Sequence, residues 1–204
     1  MRKRIFRYFG GLLKRQEQWL NEMAAKGYRL AGTTRFFYDF EPCEPSEYEY
    51  RVEFAAGMAY QDRLEYREFL HSLGYRTFWK NVSLNISFGK AKFRPWANGT
   101  GKLAVSPGSY GKELLIVEKK RDGRPFELHT DTADKIDYYR TLRSAWLTAG
   151  TAGLLLLLAV VLGWLPRSVY TIFGGAVLFV LGIVPALNYH FTLTDLKQEN
   201  RIHE

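Results

Sequence analysis

Short alternating runs and helical-period runs take turns along the first 80 residues, and beyond residue 143 polar positions become scarce. Residues 4–9 open as a strand. Leu13, Gln16, Leu20 and Met23/Ala24 then recur at helical spacing, and Gly27 stands where a C′ glycine ends a helix. Residues 28–40 are aromatic and β-rich, and 42–46 read as a turn. Tyr48, Tyr50, Val52 and Phe54 alternate with Glu47, Glu49, Arg51 and Glu53, the pattern of a strand with one packed and one wet face. A second helix is predicted over 61–73, with Tyr66, Phe69, Leu70 and Leu73 on one stripe. Gly74 ends it and 75–79 return as strand. The order β-α-β-β-α-β predicts a ferredoxin-like α+β domain over residues 1–130, with both helices on one sheet face.

The pattern is less regular after that. Residues 82–93 hold one or two strands, and 94–110, with two Pro and three Gly, read as a loop. Residues 113–117 are an apolar strand. Asp122-Gly123 is a preferred hairpin turn and 126–129 return, so an extra β-hairpin is expected on the domain. Asp131 is placed to cap a helix that runs as a stalk over 131–146, with Asp134 and Asp137 early and Arg140 and Arg143 late, the order that suits the helix dipole.

Residues 144–166 and 168–194 are 23 and 27 positions without a charge, separated by Arg167. A helix crossing hydrocarbon needs about 20 mostly apolar residues, so transmembrane helices are expected at 147–165 and 168–191, with a cytoplasmic tail at 192–204. The competing reading, a buried helical pair, asks a small domain to cover two long uncharged runs. Gly150 and Gly153 in the first span and Gly174, Gly175 and Gly182 in the second are candidates for close helix packing. Trp146 and Tyr189 at one level, and Trp164 and Tyr170 at the other, are expected interface anchors. Arg140, Arg143, Lys197 and Arg201 flank the outer ends against Arg167 alone in the turn, which places both termini in the cytoplasm and makes the protein a multi-pass resident of the cell membrane.

Charge adds to this picture. The net charge of the 204 residues is +8, and all of it lies before residue 144, where 26 Lys/Arg face 18 Asp/Glu. A basic domain beside a bilayer is attracted to the anionic cytoplasmic leaflet. The apolar run near the N-terminus is broken by Arg7 and ended by Lys14-Arg15, too short for a signal peptide. The single cysteine, Cys43, excludes an internal disulfide and fits a reducing compartment.

The run Trp19-Leu20-Asn21-Glu22-Met23-Ala24-Ala25-Lys26-Gly27-Tyr28 resembles the signature of the domain of unknown function numbered 2812. Phe36-Phe37-Tyr38-Asp39-Phe40, Pro45-Ser46-Glu47-Tyr48-Glu49-Tyr50-Arg51, Glu68-Phe69-Leu70 with Gly74, and Phe126-Glu127-Leu128-His129-Thr130-Asp131 are similar to the same family. The likeness covers about residues 5–140 and departs between 82 and 110, where extra residues stand. It implies a small cytosolic module, often followed by membrane helices, in mainly Gram-positive bacteria and often encoded near PadR-type regulators. It implies no catalytic residues.

Familiar chemistry finds little support. His71, His129, His190 and His203 are scattered, and His129 with Asp131, which would share a strand face, is the nearest approach to a metal pair. Neither metal nor cofactor is expected. The carboxylates around Cys43 would raise a thiol pKa. No nucleophile elbow or complete phosphate loop occurs, so no enzyme activity is expected. Nucleic acid is not an expected partner, since the aromatic RNP pattern is missing. Trp79, Lys90, Lys92, Phe93, Arg94 and Trp96 form a candidate contact for a partner or a membrane surface, with aromatic core packing as the plainer alternative for the 81–111 segment. The expected function is a membrane-tethered cytosolic module that binds a ligand or partner and regulates. The alternative is an accessory subunit of a transporter or envelope-stress complex that works through its transmembrane hairpin. The expected partners are the lipid bilayer and a membrane or cytosolic protein.

Overall fold

The computed structural model describes residues 2–55, 58, 60–82, 86–88, 91–93, 103–104, 114–126, 128 and 132–203. They form two compact units, 1–85 with 105–130, and 86–104 with 131–204. The elements in chain order are β1 (Lys3–Phe6), α1 (Leu13–Ala25), β2 (Tyr28–Thr33), β3 (Phe37–Pro42), β4 (Tyr48–Phe54), α2 (Tyr60–Ser72), β5 (Arg76–Lys80), β6 (Ile86–Phe88), β7 (Ala91–Phe93), β8 (Leu103–Ala104), β9 (Leu114–Lys120), α3 (Thr132–Val161) and α4 (Val169–His203).

The first unit uses one connection twice. β1 and β2 both run antiparallel to β3, in the order β1-β3-β2, with α1 as the crossover. β4 and β5 both run antiparallel to β9, in the order β4-β9-β5, with α2 as the crossover. Each is a split β-α-β unit whose third strand inserts between two parallel ones. This is an α+β architecture, but the described pairings do not give the single four-stranded sheet of the ferredoxin-like expectation. Two misread segments account for the difference. Residues 28–40 are not one strand: β2 and β3 form a hairpin, with Thr34 N–H donating to Phe37 O at 2.9 Å. Residues 114–117, the described part of the expected strand, do not start an extra hairpin either. They belong to β9, the middle strand of the second sheet, which is buried from Leu114 to Lys119. A continuous apolar run such as Leu114-Leu115-Ile116-Val117 suits a strand covered on both faces, not an edge. Asp122-Gly123 does turn the chain, with the Asp122 carboxylate accepting from Arg124 N–H. Phe126 then enters the core outside any strand, among Ala55, Leu70, Leu115 and Val117.

Helix α1 buries Leu13, Gln16, Leu20, Met23 and Ala24, the positions its period marked. It ends at Gly27, where φ is +78° and an added Cβ would lie 2.9 Å from Cys43 O, so both the backbone angle and the close approach call for glycine. The helix also serves the second sheet. The Asn21 amide donates to Tyr50 O and accepts from Tyr50 N–H, both at 2.9 Å, and the Glu17 carboxylate accepts from Val52 N–H at 3.0 Å. Side chains from the first half thus occupy the open edge of β4, which would otherwise offer unpaired backbone groups. Helix α2 departs from its expected stripe: Leu70 is buried, but Phe69 and Leu73 are each 51% exposed. Nor is the second face of β4 uniformly wet, because Glu53 is buried and accepts from Tyr66 OH at 2.8 Å.

In the second unit, β6, β7 and β8 make a small antiparallel sheet. Helix α3 continues unbroken through the boundary expected at 146/147. The cap expected at Asp131 lies outside the described residues. Thirty residues of helix span about 45 Å, against about 30 Å of hydrocarbon. Gly163 ends α3 at a φ of +78°, with Gly163 N–H donating to Val160 O and Trp164 N–H to Ala159 O, which closes the last turn. Ser168 caps α4, its hydroxyl accepting from Thr171 N–H at 3.2 Å. Both helices are long and apolar enough to cross a membrane, and only 17% of each apolar window is buried. A core helix would be mostly covered. These helices therefore support membrane residence with two spans.

Candidate functional site

Packing of the hairpin rests on four of the five candidate glycines. An added Cβ on Gly182 would stand 2.2 Å from Gly150 N, and one on Gly153 would stand 2.4 Å from Phe179 N. At Gly150 it would meet the Ile183 side chain at 3.3 Å, and at Gly175 the side chains of Leu156 and Leu157 at 2.8 and 2.9 Å. Gly174 faces open space and takes no part in this seam. Trp164 and Tyr170 are exposed near the turn. Tyr189 is different: it is buried, with its ring 6.1 Å from that of Tyr139. It packs α3 on α4 instead of facing outward, because its position falls on the seam side of α4. Trp146 is half-buried.

Of the six-residue contact candidate, three residues are described. Trp79 lies in β5, partly buried against the core cluster of the first unit, and its carbonyl accepts from the Thr33 hydroxyl at 2.8 Å. Lys92 and Phe93 lie in β7, opposite Ala104 and Leu103 in β8. Lys90, Arg94 and Trp96 lie outside the described residues.

The first unit instead builds three features that the sequence did not single out. The first is a buried polar chain. Arg29 on β2 donates through Nε and Nη2 to Glu118 Oε1 at 3.0 and 2.8 Å. Tyr50 OH donates to Glu118 Oε2 at 2.7 Å and accepts from Leu30 N–H at 2.8 Å. The Arg29 guanidinium also lies 4.1 Å from the Tyr48 ring centroid. Burial and the neighbouring Glu118 charge hold the Tyr50 hydroxyl far above its ordinary pKa, so it stays a donor. Arg29 is the one member that reaches the surface, in a shallow groove of about 530 Å³ shared with Glu41, Pro42, Cys43, Glu44, Glu47 and Tyr48. Burial, then Glu47, pushes the Cys43 thiol up, which keeps it a poor nucleophile.

The second feature is Lys80. It is buried at the end of β5, where its ammonium donates to Thr34 O and, at 2.8 Å, to Arg35 O. It sits 4.3 Å from the Tyr38 ring centroid. Desolvation lowers its pKa to about 8. Together with Thr33, it fastens the β2–β3 turn to the second sheet.

The third feature lies on the outer face of the first sheet. Register places Arg4 opposite Asp39 and Phe6 opposite Phe37, and alternation puts all four on one face. Ring centroids of Phe6 and Phe37 are 5.6 Å apart, those of Phe6 and Phe36 6.0 Å, and those of Tyr8 and Phe36 6.4 Å. Phe6 is 62% and Tyr8 51% exposed. Beside them a trough of about 660 Å³ is lined by residues that include Arg7, Phe9, Arg15, Trp19 and Glu22. The signal was present in the sequence: six cations precede the first acid, Glu17. Of these, Arg7 and Lys14-Arg15 break the apolar run near the N-terminus.

Among the described residues, no group of three or more His, Cys, Asp or Glu side chains could hold a metal ion. No curated protein and no solved structure matches the chain. A family model does match, over residues 13–151, from the start of α1 into the apolar part of α3. With more than half of its length covered, the chain belongs to the family described as protein of unknown function DUF2812.

Proposed function

We propose that this protein is a membrane-anchored binding module without catalysis of its own. Its N-terminal α+β unit faces the cytoplasm and responds to a partner there. The observation that carries this reading is the hairpin: two helices seamed by glycine, with Leu155, Phe173, Val180, Leu181 and Phe191 left exposed along their length. Side chains of this kind are stable only against lipid or another apolar surface. Cation placement supports cytoplasmic termini, since Arg140, Arg143 and Lys197 flank the outer ends and Arg167 stands alone in the turn. The test uses Cys43→Ser as background. Trp164→Cys should react with an impermeant maleimide in intact cells, and Gln198→Cys only after permeabilisation. The reverse pattern would invert the topology, and a protein that stays in the supernatant after high-speed sedimentation would remove the anchor altogether.

Gly174 favours a second reading, in which the hairpin acts as an accessory subunit of a transporter or envelope-stress complex. It is the candidate glycine with nothing against it inside the hairpin. Gly174→Leu should then abolish co-purification with a membrane partner while α3 and α4 stay paired. Gly175→Leu or Gly182→Leu would disrupt the seam itself and so would not separate the two readings.

A further inference from the structure

We propose that the outer face of the β1-β3-β2 sheet, with its ridge of Phe6, Tyr8, Phe36 and Phe37, is a docking surface for anionic phospholipid headgroups. The proposal rests on the membrane anchoring argued above. Rings and cations alternate along this surface. Arg2, Arg4 and Arg35 are exposed on this side of the sheet, and Arg35 lies 5.1 Å from the Phe36 ring centroid; Lys3 and Arg7 alternate to the other face, where Arg7 lies 6.0 Å from the Trp19 ring centroid. Asp39 is one carboxylate on this side, and it is occupied by Arg4 through two hydrogen bonds of 2.6 and 3.1 Å. Glu41 follows Phe37 and Asp39 on the same face of β3, so Arg2, Arg4 and Arg35 stand against two carboxylates. The net charge of the face is therefore positive.

Edge strands often carry lysine and arginine to discourage pairing with other chains, and that would explain the cations on β1. It does not explain the rings, because an exposed cluster of Phe and Tyr on an edge promotes association. Rings beside cations are the composition of a surface that settles into the headgroup layer, with charge on phosphates and aromatics at the acyl boundary. Tethering to a membrane through the same chain raises the effective concentration of the headgroups for the first unit, so weak contacts suffice.

The test uses full-length protein with Cys43→Ser and Tyr8→Cys, the new thiol carrying an environment-sensitive fluorophore. It is reconstituted in nanodiscs of phosphatidylcholine alone or with one quarter phosphatidylglycerol. Headgroup-spin-labelled lipid serves as quencher. Nanodiscs expose both leaflets, so the result does not depend on topology. Docking predicts quenching in the phosphatidylglycerol discs and little in phosphatidylcholine. It also predicts loss of quenching at about 1 M salt, where the screening length is about 3 Å. Arg2→Glu and Arg35→Glu should each lower the docked-to-free ratio at least about fivefold. Arg121→Glu, an equal charge change beyond the end of β9, should leave it unchanged. Helical content by circular dichroism identifies any variant that has unfolded, and the salt response of the parent protein reads the same effect without substitution. Protein that co-elutes with nanodiscs but shows no lipid-dependent quenching overturns the docking and leaves the anchor standing. So does quenching that is equal in both lipids, and so does a ridge found occupied by an acidic protein or a second copy instead. Failure to co-elute with nanodiscs overturns the anchor and the docking together.

Discussion

The two halves of the first unit, β1-α1-β2-β3 and β4-α2-β5-β9, share a connection and differ in their cover. The middle strand of the second half, β9, is buried from Leu114 to Lys119. The middle strand of the first half, β3, buries only Tyr38 and Phe40, and β1 buries no residue. Topology alone therefore does not decide which sheet becomes core. Helix placement does. Trp19 of α1 covers the inner face of its own sheet, with its ring 4.9 Å from that of Tyr38 and 5.5 Å from that of Phe40. Asn21 and Glu17 of the same helix close the edge of β4. The outer face of the first sheet keeps Phe6 and Phe37 in the open. The second half thus holds the more deeply buried sheet, and the first keeps one face open.

The largest effect expected from this contrast is at Leu115, fully buried in β9 between β4 and β5. Leu115→Ala should cost about 4 kcal/mol in a urea titration of the full chain in detergent, near the upper end for such truncations, because a central strand cannot collapse into the void. Next comes Glu118. Glu118→Ala removes the partner of Arg29 and an acceptor of Tyr50 together, for about 3 kcal/mol. That is the lower end for a broken buried pair, since the Arg29 side chain is 28% exposed and can turn to water. If both changes cost less than the corresponding truncation of Phe40 in β3, the second half is not where stability resides.

Local period was legible and partnership was not. The stripe of α1 could be read because Leu13, Gln16, Leu20 and Met23 recur within one helix. The glycine stops at Gly27 and Gly74 follow from backbone geometry at a single residue, and the two spans from the absence of charge over more than a helix length. What could not be read needed knowledge of which distant strands meet. Nothing local says that β9, separated from β5 by more than 30 residues, returns to lie between β4 and β5. Without that, Glu118 looks like a surface charge after an apolar run, Lys80 like the end of an exposed strand, and Tyr50 like a plain core aromatic. Nor can period tell that Tyr189 turns toward Tyr139, since a helix that is apolar on all sides does not mark its seam.

A smaller effect comes from pH, at Lys80, where the second half is fastened to the β2–β3 turn of the first. Burial lowers the Lys80 pKa from 10.5 to about 8, so between those values the unfolded chain binds more protons than the folded one. Stability should therefore rise as pH increases from about 8 toward 10, by at most about 1.4 kcal/mol per unit. Tyr38, Tyr50 and Tyr66 oppose it above pH 10, because burial raises each hydroxyl above its ordinary value of 10.0 and stability is lost once the unfolded tyrosines ionise. Lys80→Met should flatten the rise below pH 10 and leave the fall above it. A parent protein whose stability is level from pH 8 to 10 would mean that the two carbonyls and the Tyr38 ring offset the desolvation completely.

The smallest expected effect is the most discriminating. Phe37 lies on the same strand as Tyr38 and Phe40 but is 39% exposed and points to the outer face. Phe37→Ser removes a ring that contributes little to the core, so it should change unfolding free energy by no more than about 0.5 kcal/mol, as surface substitutions do. It should still weaken headgroup quenching in phosphatidylglycerol nanodiscs. A protein that keeps an exposed ring without gaining stability from it is holding a surface for something else. A loss of 2 kcal/mol or more on Phe37→Ser would make the ridge a part of the core, and the difference between the two halves would then be one of degree, with the first sheet no longer set apart as a binding face.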